Sequence, residues 1–135
     1  MFTKPKYGWT DLTLDQKNFF PASYLTDVPM DCLDGFIQAI QTGSADVEFD
    51  AEGWEFILKI RKDQVSVITI KDTEEKYLGN KSMREYGEEL YKDISESLQK
   101  WLEWECCFEF LSKEEVQKRE DELKNKLKTL RGLLK

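Results

Sequence analysis

The chain contains no histidine. That absence removes the usual general base near neutral pH, the Ser-His and Cys-His nucleophile pairs, and the commonest metal ligand. Cysteine is scarce too: Cys32, Cys106 and Cys107 show neither the C-x-x-C spacing of redox sites nor that of zinc sites. Adjacent residues such as Cys106 and Cys107 bridge only under strain, so reduced thiols are expected. No apolar run approaches the roughly 18 residues a membrane span needs. Met1-Phe2-Thr3-Lys4-Pro5-Lys6 leads into a polar, aromatic segment rather than the apolar core of a secretory signal. The expectation is a cytoplasmic protein with no membrane partner. Phosphate-cradling loops and nucleophile elbows are also missing, and no cofactor or metal is expected.

What is present suits a globular fold. Of 135 residues, 40% are hydrophobic and 13% aromatic, enough to build a core without covalent staples. The longest continuous apolar stripe runs from Ser82 to Trp104, where Met83, Tyr86, Leu90, Ile94, Leu98 and Trp101 recur at steps of three or four. That spacing predicts one amphipathic helix about 34 Å long, opened by Ser82 and Glu85 as a capping box.

Upstream, Tyr7 to Leu14 reads as a short strand, and Asn18-Phe19-Phe20-Pro21 as an edge or irregular segment because of its proline. Asp27 is placed to cap a helix whose first turn holds Pro29 and whose apolar face is Met30, Leu33, Phe36, Ile37 and Ile40. Gly43 is its natural stop. The period then falls to two: Val47 and Phe49 alternate with acids, Trp54, Phe56, Leu58 and Ile60 follow a turn at 51–53, and Val65 to Ile70 is β-branched. Short connections favour an antiparallel meander. Lys71 to Lys81 reads as a polar connection. Cys106 to Leu111 either prolongs the long helix or forms an apolar link. Ser112 and Glu115 open a last helix from Lys113 to Leu134 with a narrow seam of Val116, Leu123, Leu127, Leu130 and Leu134. The fold class expected is therefore α+β: a small antiparallel sheet of three to five strands packed on a long amphipathic helix, with one helix in the first half and one at the C-terminus. Residues 1–111 form the domain, and 112–135 either pack on it or mediate self-association.

Net charge is −7, unevenly spread. Between Asn18 and Leu58 there are eight acids and no base, whereas Lys113 to Lys135 carries eight bases against five acids. An acidic body argues against nucleic acid as a ligand; it either suits a basic protein partner or serves only to keep the protein soluble. Asp46, Glu48 and Asp50 occupy alternate positions, which puts them on one solvated strand face. Ala51 and Ile57 stand where a calcium loop would need glycine and glutamate. No carboxylate spacing signals acid-base catalysis. The four tryptophans, Trp9, Trp54, Trp101 and Trp104, are expected mainly in the core.

The stretch Phe20-Pro21-Ala22-Ser23-Tyr24-Leu25-Thr26-Asp27-Val28-Pro29-Met30-Asp31-Cys32-Leu33, followed by Val47-x-Phe49-Asp50-x-Glu52-Gly53, resembles the amino-terminal part of bacterial immunity proteins of the WapI-like group. The resemblance spans Phe19 to Ile70. Cys32 departs from it, and the tail from Lys113 lies beyond it. It implies a non-enzymatic protein that binds a cognate toxin domain and blocks it. Because many such toxins carry basic nucleic-acid surfaces, the expected docking residues are Asp46, Glu48, Asp50, Glu52 and Glu55, with Asp31 and Asp34 as neighbours. The rival expectation is a homodimeric scaffold joined through the C-terminal seam.

Overall fold

The computed structural model describes residues 1–71, 73–104 and 112–135. The expectations for Cys106, Cys107 and the 106–111 link fall outside them. The fold is α+β. Four strands, β3 (Ser44–Asp50), β4 (Glu55–Arg61), β5 (Val65–Ile70) and β6 (Glu74–Leu78), form an antiparallel meander in chain order, and β1 (Trp9–Leu12) pairs with β2 (Phe20–Ser23) in a separate two-stranded sheet. The helices are α1 (Val28–Thr42), α2 (Met83–Glu96), α3 (Leu98–Leu102) and α4 (Lys113–Leu134).

Alternation in the sequence decides which side of the meander is dry. Ala45, Val47 and Phe49 of β3, Phe56, Leu58 and Ile60 of β4, and Val65 and Val67 of β5 are buried on its inner face. There α1 lies against β3 and β4. The approach is close enough at Gly35 that an added Cβ would collide with Val47 Cγ2, so glycine is required by contact distance rather than by backbone angle. At the helix end the reason is conformational. Gly43 takes φ of 100° and donates its N–H to the Ala39 carbonyl at 2.7 Å, closing α1 and turning the chain straight into β3. Cys32 on α1 is fully buried, and its thiol pKa is pushed well up by that burial and, secondarily, by the charges of Asp31 and Asp27. The β1–β2 hairpin closes the far end of the inner face: Phe20 sits edge-on to Tyr77 at 5.0 Å and 5.7 Å from Phe56, which stacks on Phe49 at 4.8 Å.

The capping box at Ser82 and Glu85 forms as the sequence predicts. The helix it opens is shorter. Instead of running to Trp104 it ends at Glu96, turns at Ser97 and resumes as the single turn of α3. The indole of Trp101 explains the break, because its Nε1 donates to the Asp93 carbonyl at 3.2 Å, one that a continuous helix would reserve for its own backbone. The bend also delivers Trp104, whose Nε1 donates to the Thr26 carbonyl at 3.0 Å. Both rings end up buried.

Leu123, Leu127, Leu130 and Leu134 of α4 are buried, and the helix packs on α1 and α2. The seam is thus spent within the chain, except for Val116, which stays 48% exposed. Asp27 corrects the sequence reading. It stands at the N-cap position of α1 but makes no capping bond, because Arg119 of α4 takes both carboxylate oxygens at 2.8 and 2.9 Å. Two charge-assisted bonds outcompete one backbone N–H.

Candidate partner-binding surface

The outer face of the meander is read from its pairing, since directly opposed residues on antiparallel strands share a side. One row runs Asp46, Lys59, Ser66, Leu78; the next Glu48, Ile57, Ile68, Lys76; the third Asp50, Glu55, Ile70, Glu74. Apart from Ser66, all of these are exposed or half-buried. Ile70 is 44% and Leu78 58% exposed. The face is therefore an isoleucine-rich centre, wet and rimmed by charge.

The seven acids expected at the docking surface do not stay together. Glu48, Asp50 and Glu55 do, on adjoining positions of β3 and β4. Among the described residues none of the three has a basic partner within salt-bridge range, although Asp50 accepts the Glu52 backbone N–H at 2.7 Å within the turn. Asp46 shares their face but is engaged by Arg61 at 2.8 Å and Lys59 at 3.9 Å. Glu52 belongs to the β3–β4 turn, with φ of 52°, and its carboxylate accepts from the Tyr24 hydroxyl, a bond that raises the tyrosine's pKa. Asp31 and Asp34 depart furthest from the expectation. They sit on α1, in the helical layer against the opposite face, and Asp34 is paired with Lys126 of α4. Burial and the charges of Asp27 and Asp34 raise the pKa of Asp31. They are not neighbours of the strand carboxylates, because α1 packs on the inner side of the sheet.

One acid of this face escapes the sequence reading. Glu74 lies beside Ile70 on β6, a strand expected only as a polar connection. Its faint signal is Glu74, Lys76 and Leu78 alternating with Glu75 and Tyr77 between turn-forming residues, and charge hides it because both of its faces are wet. With Glu74 the face carries four carboxylates free of salt bridges among the described residues, next to Ile57, Ile68 and Ile70. Charge at a rim with an apolar centre is the anatomy of a protein-binding patch. Among the described residues no group of three potential metal-ligating side chains comes together. No protein-family model, curated protein or solved structure matches the chain.

Proposed function

We propose that this protein is a non-enzymatic inhibitor that neutralises a bacterial toxin domain by docking a basic surface of that toxin on the outer face of its sheet. The observation that carries the reading is the open group of Glu48, Asp50, Glu55 and Glu74, spread over two adjoining rows beside Ile57, Ile68 and Ile70. The resemblance to immunity proteins supplies the class of partner. With no histidine to act as a base and Glu48, Asp50, Glu55 and Glu74 on an open face, the chain offers binding chemistry there. An acidic inhibitor also competes for the lysines and arginines that a nuclease needs for phosphate.

The test pairs growth protection with stability. Glu48→Lys combined with Asp50→Lys should lower the melting temperature by no more than about 5 °C, the cost of the one turn bond that Asp50 accepts from the Glu52 N–H. Cells co-expressing the double variant with a toxin domain against which the native chain protects should lose that protection. Full protection by the double variant would remove this face as the docking surface.

A further inference from the structure

We infer that the free edge of β6 takes up an extended segment of a partner protein as a fifth strand of the meander. This does not depend on the partner being a toxin, and it concerns the edge of the sheet rather than its outer face. β6 is the last strand in the sheet order, and among the described residues nothing pairs with its other side. About half of the N–H and C=O groups of an antiparallel edge strand point away from its neighbour, so Glu74–Leu78 presents an open ladder. The edge is also furnished with side-chain subsites on both faces. On the inner face Tyr77 and Glu75 border a cleft of about 440 Å³, which Phe19, Phe20 and Trp54 also line. On the outer face lie Ile70 and Leu78, both exposed.

A strand added antiparallel sends alternate side chains to these two places, and cross-strand pairing fixes what they should be. Opposite Leu78 and Tyr77 it should be apolar, with the aromatic residue against Tyr77. Opposite Lys76 it should be acidic, and opposite Glu75 and Glu74 basic. A second copy of this chain does not satisfy that order. Pairing about a two-fold axis at the strand centre sets Lys76 against Lys76, one adjacent register sets Glu75 against Glu75, and the other, with Tyr77 against Tyr77, overlaps only Lys76 to Leu78 and leaves both acids without an opposite residue in the strand. Charges that keep like strands away therefore select a segment of complementary sequence.

The probe is a blocked peptide reading threonine-valine-phenylalanine-glutamate-lysine-arginine-threonine, titrated into the full chain and followed by amide hydrogen exchange and NMR shifts. Saturable binding is expected, with exchange at the alternate amides of Glu74–Leu78 that point away from β5 slowed about tenfold or more at saturation, the change that 1.4 kcal/mol produces. A peptide N-methylated at alternate backbone nitrogens should lose binding by a similar factor. The combined variant Glu74→Lys, Lys76→Glu should prefer a peptide with its glutamate and arginine exchanged and the lysine opposite Glu75 kept. No binding at millimolar peptide, equal binding of the N-methylated peptide, or shifts confined to Glu48, Asp50 and Glu55 would each overturn the inference.

Discussion

Trp101→Ala should lower the stability of the protein by about 3 to 5 kcal/mol, the range for removing a buried aromatic ring. In a chain of this length that corresponds to a fall in melting temperature of about 10 to 20 °C. The ring is 1% exposed, lies edge-on to Phe2 at 5.8 Å and sits 5.9 Å from Trp104. Phe2 in turn reaches Phe49 of β3 at 6.4 Å, so the indole joins the N-terminal segment and α3 to the sheet. Alanine leaves a void between elements that come from opposite ends of the fold. It also frees the Asp93 carbonyl, which then has reason to accept from the backbone and straighten the helix. Trp101→Phe keeps most of the packing and loses the hydrogen bond and part of the ring, so it should cost less than alanine, about 1 to 2 kcal/mol. Urea unfolding measures both. A loss below about 1 kcal/mol for the alanine variant would contradict the packing described.

Asp27→Ala should cost about 2 to 3 kcal/mol, since it removes two charge-assisted bonds from a largely buried guanidinium. The competing account is that Asp27 acts as a helix cap, and serine separates the two. A cap is preserved by Asp27→Ser, because serine is as good an N-cap as aspartate, whereas an ion pair is not. The structure requires Asp27→Ser to be nearly as destabilised as Asp27→Ala. A double-mutant cycle with Arg119→Met should then return a coupling of about 1.5 kcal/mol or more, and a serine variant of native stability would reassign the residue to capping.

These two residues also mark where the sequence is legible and where it is not. Local rules work where the partner is near in the chain. Ser82 finds Glu85, Gly43 closes α1, and period-two alternation puts Glu48 and Asp50 on one face with Glu55. They fail where a distant group competes for the same atoms. Asp27 has every mark of a cap until Arg119 arrives from 92 residues away, and the stripe from Ser82 to Trp104 looks continuous until the Trp101 indole takes a helix carbonyl. The docking face divides on the same principle. Asp46 is lost to Arg61 and Lys59 across a hairpin, Glu52 to Tyr24, and Asp34 to Lys126, and none of these contacts has a signature in spacing. β6 is hidden for another reason. A strand wet on both faces lacks the apolar alternation by which strands are recognised.

The burial of Cys32 gives the protein a built-in clock. A thiol needs to be a thiolate to react, and this one is buried on α1 with its pKa pushed well up, so an alkylating reagent can reach it only when the packing around α1 opens. The modification rate at Cys32, read peptide by peptide in a mass spectrometer, therefore reports the free energy of that opening under native conditions. Docking of a partner that holds β3 in place should slow it, which gives an assay for occupancy that needs no engineered probe on either protein.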